Sequence, residues 1–242
     1  MKIISSLFFL LTLATAFRPV AAQNSHDVLE ARTVYAQANR DPNAIMLRAG
    51  LVSQTSGFFG DGSMQPGALR TFDGRYRPVP GLRYHAGLRL LEAQDSISLD
   101  STHLWPVGSL RGFDLGEPGG SAPVRRFRPR LVKEGSAGTR RDFVEVLTAV
   151  DTGPLLLAQL YSSGSDATTG RLSLAPLLMV GVGNNLSEPM RPLELTQSNV
   201  LKLFGNRAED VSGFVMRQQL KYFQPEDVAR MIDYYNQRAV VK

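Results

Sequence analysis

Between residues 68 and 183 the chain falls into short β-favouring runs, each closed by Gly, Pro, Asp or Ser, with no stretch of helical period among them. The runs are 68–72, 81–85, 88–93, 109–115, 125–132, 142–150, 155–161 and 172–182. A crossover between parallel strands needs a dozen or more residues, usually a helix. These gaps are too short and too polar for that, so the spacing predicts antiparallel strands in a curved sheet, a sandwich or a partly open barrel. Two runs alternate as half-buried strands must. Phe143, Glu145 and Leu147 oppose Val144, Val146 and Thr148, and Phe127, Pro129 and Leu131 oppose Arg126, Arg128 and Arg130.

The end of the chain has a different period. Val200, Leu203 and Phe204 stand at i, i+3 and i+4 behind a Thr196/Ser198 cap, and Gly205-Asn206 interrupts them. A second helix is expected over 208–220, with Val211, Phe214 and Val215 on one side. A third opens at Pro225, followed by Glu226 and Asp227 near the positive end of the helix dipole. Its stripe is Val228, Met231, Ile232 and Tyr235. Burying those four side chains releases roughly 6–12 kcal/mol, whereas ordering about a dozen backbone residues costs ~12–24 kcal/mol. Such a tail should not stand alone. The expected fold is therefore α+β: a mainly antiparallel sheet over 68–195, with about three short helices over 196–242 packed on it.

The first 22 residues look like a cleavable export signal. Lys2 precedes a run that is apolar from Ile3 to Ala16 except for Ser5, Ser6, Thr12 and Thr15, and Val20-Ala21-Ala22 offers small residues before Gln23. Arg18-Pro19 ends the run too early for a span of ~20 apolar residues. Cleavage after Ala16 is the alternative. Removing residues 1–22 takes away Lys2 and Arg18 and no acid, so the net charge falls from +5 to +3. That balance argues against a nucleic-acid partner. Exported domains with weak cores lean on disulfides, and this chain has no cysteine, so its apolar core must suffice. Residues 23–67 read as an arm, helical over 25–40, then a glycine-rich loop whose Gly57-Phe58-Phe59-Gly60-Asp61-Gly62 lacks the Lys-Ser/Thr of a phosphate loop.

Catalytic signatures are absent from the chain. No Gly-x-Ser-x-Gly occurs, and His26, His85 and His103 are too far apart for a helical zinc pair. A metal site built from His85, His103 and Asp100 would need the fold to assemble it, so no cofactor or metal is expected. Trp105 is expected as a core anchor, His85 in a strand and His103 in a turn. Asn185-Leu186-Ser187 has the form of a glycosylation sequon.

The strongest charge feature is Arg125, Arg126, Arg128, Arg130 and Lys133, with Arg140 and Arg141 beyond the next turn. In a strand, Arg126, Arg128 and Arg130 project from one face. Guanidinium forks suit phosphate and carboxylate, which makes this row the expected binding surface for an anionic partner. A solvated outer face balanced by Glu134, Asp142 and Glu145 is the plainer reading.

Four segments carry a resemblance: Trp105-Pro106-Val107-Gly108-Ser109-Leu110-Arg111-Gly112-Phe113, then Arg141-Asp142-Phe143-Val144-Glu145-Val146-Leu147, a stretch from Gly153 to Tyr161, and the helical ending from Pro225-Glu226-Asp227-Val228 to Tyr234-Tyr235-Asn236. In these the chain resembles a loose family of uncharacterised exported bacterial proteins. The resemblance implies export and a β-rich architecture and carries no activity or catalytic residue. The expected function is an exported, non-enzymatic module of the cell envelope or medium, binding an anionic envelope component or another envelope protein. A two-carboxylate hydrolase of an envelope polymer and a purely structural component are the alternatives.

Overall fold

The alternation at 125–132 and 142–150 builds the central hairpin of a ten-stranded sheet in a computed structural model that describes residues 57–95, 101–133, 138–165 and 172–239. The leader expected at 1–22, the helix expected at 25–40, His26, Asp100 and Glu134 lie outside the described residues. The strands are β1 Gln65–Arg70, β2 Tyr76–His85, β3 Leu90–Gln94, β4 Thr102–Pro106, β5 Gly112–Leu115, β6 Arg125–Lys133, β7 Thr139–Val146, β8 Leu156–Ser165, β9 Leu172–Gly181 and β10 Arg191–Pro192. Their order is β10-β9-β8-β7-β6-β5-β1-β2-β3-β4, and every ladder is antiparallel. Only β1, lying between β2 and β5, departs from simple hairpin succession.

The sheet curls in opposite senses along its length. At one end, Tyr84 of β2 reaches past three intervening strands to Phe143 of β7, with ring centroids 5.7 Å apart. It packs there with Phe113 and Phe127, which stack at 4.7 Å. At the other end, Met190 forms a bridge beside Val132 of β6, accepting from Lys133 N at 2.9 Å and donating to Leu131 O at 2.8 Å. β6–β10 thereby close on themselves around Val132, Val144, Val146, Leu156, Ala158, Leu160, Met179 and Met190. Phe143 and its alternate neighbours face one core, and Val144 and its neighbours face the other. In consequence every residue from Asp142 to Val146 is buried.

Three helices follow: α1 Gln197–Lys202, α2 Ala208–Gln218 and α3 Pro225–Ala239, with a 3-10 turn Gly205–Arg207 after α1. Thr196 Oγ1 accepts from Asn199 N at 3.2 Å, the cap read from the sequence. Val228, Met231 and Ile232 of α3 pack with Val211 and Val215 of α2 over Leu157 and Val180, covering the outer face of β8 and β9. The α+β class is as expected. Two strands were not: β4, which holds His103 where a turn was expected, and the two-residue β10. The first half of β2, with Pro78 and Pro80, extends the run at 81–85 backwards, and 147–150 leaves the strand to form a loop.

β8 pairs with β7 only at Val144, Glu145 and Val146. The next N–H outward, that of Phe143, would be orphaned. Asp142 Oδ1 accepts it at 2.9 Å and also accepts the Tyr84 O–H at 3.2 Å, while Arg140 Nε stands 3.3 Å from Oδ2. Burial raises the Asp142 carboxyl to about 6, with Arg140 and Arg89 opposing the rise. The folded chain thus holds this proton more tightly than the unfolded one. The resulting stability is complete below about pH 4 and is lost as pH rises through about 6. The sequence change Asp142→Asn should remove that dependence. Relative to the parent, its urea-unfolding free energy is expected to rise by about 2.5 kcal/mol between pH 4 and pH 7.5.

Candidate functional site

Arg126, Arg128 and Arg130 do project from one face of β6, but most of that face is covered. Residues 148–151, just after β7, fold back across it. Arg126 donates to the carbonyls of Thr148 and Ala149, Arg128 Nε to Asp151 Oδ2 at 2.6 Å, and Arg130 Nη2 to the Asp151 carbonyl at 2.6 Å. Arg128 and Arg130 are each only 5% exposed. The solvated stripe expected from the sequence is therefore corrected: Arg126 is half-buried, and the other two are enclosed, so an extended polymer cannot lie along them.

Arg128 is the best-satisfied of the three. Its Nη1 donates to Asp114 Oδ1 at 2.7 Å, to Phe127 O at 2.9 Å and to Phe113 O at 3.2 Å. Asp114, on β5, also takes both Nε and Nη2 of Arg70 through Oδ2, at 3.1 and 2.9 Å. The hydrogen bond from Arg70 to Asp114 raises the pKa of that arginine despite its partial burial. Room for the Arg128 side chain comes from Gly112, which opens β5 beside it. A Cβ there would strike the Phe127 carbonyl and stand 2.9 Å from Arg128 Cδ. Burial would raise the Asp151 carboxyl, yet Arg128 more than reverses this and holds it below its ordinary value.

Arg130 differs. It faces Asp142 across the ladder, but that carboxylate turns toward Tyr84 and Arg140. Its Nε and Nη1 are buried with no hydrogen-bond partner among the described residues. Burial lowers its pKa, Asp151 opposes that, and Arg128 adds repulsion. Native interiors rarely leave a polar group unsatisfied without an ion, a water or a functional reason, and an uncompensated guanidinium is among the most costly cases. Chemically, the arrangement is an acceptor-seeking cation under a loop.

The covering loop is pinned from its other side by α3. Ala149 N donates to both oxygens of Asp233, at 2.8 and 3.0 Å. Asn236 Oδ1 accepts from Leu155 N at 3.0 Å and its Nδ2 donates to Leu155 O at 2.8 Å, as a strand neighbour would. Gly153 lies against the Asn236 amide, and Gly183 N donates to Gly153 O at 2.9 Å. The C-terminal helix therefore sets where the loop sits over the arginines.

Other sequence candidates go elsewhere. Glu145 takes a two-pronged grip from Arg125, at 2.7 and 2.5 Å, and accepts the Tyr161 O–H at 2.7 Å, with Phe59 under the Arg125 guanidinium at 4.1 Å. Phe59 packs against Phe127 and Tyr161, so the glycine-rich loop is anchored in the aromatic core. Glu92 pairs with Arg83 at 2.6 Å. Each of these buried acids thus faces an arginine, and no described pair of carboxylates supplies an observation in favour of hydrolysis. His85 is buried against Phe58 and accepts from Leu88 N at 3.0 Å; His103 meets Asp95 at 3.3 Å on β4. No cluster of three metal-ligating side chains occurs among the described residues. Trp105 is partly buried against the aromatic core.

Asp114, Asp151, Gly112 and Arg70 were missed by the sequence reading. Asp114 gave one signal, a lone acid between Phe113 and Leu115 in an apolar strand. No family model, no curated protein and no solved structure matches this chain.

Proposed function

We propose that this chain is an exported, non-enzymatic binding module that holds a small anion, of the carboxylate or phosphate type, at the loop-covered row of Arg126, Arg128 and Arg130. One observation carries the reading: Arg130 is buried with Nε and Nη1 lacking acceptors. The leader at 1–22 supports export, to the periplasm, the cell surface or the medium. The enclosure supports a small ligand in place of a polymer.

The test uses two effects of opposite sign. Arg130→Met should stabilise the ligand-free chain by about 1–3 kcal/mol, because it replaces a poorly compensated buried charge with an apolar side chain. In the parent, inorganic phosphate should raise the melting temperature at constant ionic strength and saturate, worth about 2.7 kcal/mol at a hundred times its dissociation constant. Arg130→Met should abolish that rise. A parent melting temperature indifferent to phosphate, sulfate and acetate, or a variant that responds equally, would overturn the proposal.

A further inference from the structure

The β1–β2 hairpin ends in a tip built to stay in one shape. Thr71 N donates to Arg75 O at 3.1 Å and Gly74 N to Thr71 O at 3.1 Å. Gly74 has φ +81°, the left-handed residue that closes a three-residue hairpin loop. The Asp73 carboxylate accepts from Arg75 N at 3.2 Å and from the Thr71 hydroxyl. This rigid turn holds Phe72 out in water at 65% exposure. Tyr76 is 45% exposed at the base of the tip, with the Arg70 guanidinium 5.5 Å from its ring centroid.

The charges around these rings are one-sided. Residues 65–85 hold one acid, Asp73, against Arg70, Arg75, Arg77 and Arg83. Arg75 and Arg77 share Asp73, at 3.3 and 3.5 Å, and keep 72% and 53% of their side chains exposed. Exposed Arg111 joins them, its N donating to Arg70 O at 2.8 Å. A protein partner of ordinary size needs about 800 Å² of complementary surface on each side, and a single protruding ring does not provide it. An anionic bilayer surface needs less: an apolar wedge entering the headgroup boundary, with cations at its base.

We infer that the β1–β2 hairpin docks the protein on anionic lipid, with Phe72 inserted at the headgroup level and Arg75, Arg77 and Arg111 against the lipid phosphates. The turn is preformed, so docking orders little new chain. Each arginine near such a surface is worth roughly fivefold in partition, and the Phe72 ring roughly tenfold.

The experiment is co-sedimentation of the full chain with vesicles of equal parts phosphatidylglycerol and phosphatidylcholine, beside vesicles of phosphatidylcholine alone. The parent should bind the anionic vesicles, release as salt is raised, and ignore the neutral ones. Phe72→Ser, and separately Arg75→Glu with Arg77→Glu, should each weaken binding at least tenfold while leaving the melting temperature unchanged, because these side chains are exposed. Absence of parent binding, equal binding to both vesicle types, or undiminished binding by folded variants would overturn the inference. So would capture of soluble polyglutamate, with the same mutational sensitivity, by a chain that ignores vesicles.

Discussion

Arg128→Ala is expected to lower the urea-unfolding free energy at pH 7 by about 3–5 kcal/mol. The substitution deletes the contacts to Asp114 and Asp151 and the donors to two main-chain carbonyls. Asp114 is 2% exposed and would retain only Arg70. Losing one partner of a buried ion pair costs more than the pair ever contributed, because the other charge stays desolvated. The double change Arg128→Met with Asp114→Leu should therefore recover most of the loss, since it removes both charges and keeps the volume. A cost under about 1 kcal/mol for Arg128→Ala, within the range of exposed pairs, would show that the network does not hold the β5–β6 seam.

The second large effect is expected at Gly112. Its φ of +145° is one that side chains rarely adopt, and the space its Cβ would occupy is already filled by a backbone carbonyl and the Arg128 stem. Backbone strain of ~1–3 kcal/mol adds to overpacking of ~1–3 kcal/mol, so Gly112→Ala should destabilise by about 4 kcal/mol in the same urea assay. Gly74→Ala is the control. Its φ is also positive, but nothing lies within 4 Å of the added Cβ, so only strain of about 1–2 kcal/mol is expected. Equal costs at the two glycines would mean that crowding against Arg128 plays no part.

Much of the architecture was legible because it rests on local period. The alternation at 125–132 and 142–150 marked β6 and β7, and Val228, Met231 and Ile232 marked the buried face of α3. β4 escaped because Thr102 to Pro106 is five residues long and mixes a histidine with a proline, so its strand character comes from pairing with β3. The candidate site was half legible. Period 2 placed three arginines on one face, but no local pattern says which faces water. That depends on residues 148–151 folding back, and their position depends in turn on Asp233 and Asn236, more than 80 residues away. A row of charges on a strand ordinarily argues for solvent. Here the acids that enclose it, Asp114 and Asp151, come from separate segments.

The opposite curls leave β7 as a wall shared by two rooms. A strand buried on both sides is usually a continuous apolar run, yet Asp142 and Glu145 stand among Phe143, Val144 and Val146. Each polar member lies on the same side as a hydrophobic one and is matched by its own arginine, Arg140 or Arg125. A slip of one residue would exchange the two sets, sending aromatic rings into the space of valines and parting Glu145 from Arg125 on β6. The wall thus fixes its own alignment: the wrong threading is penalised in both rooms at once.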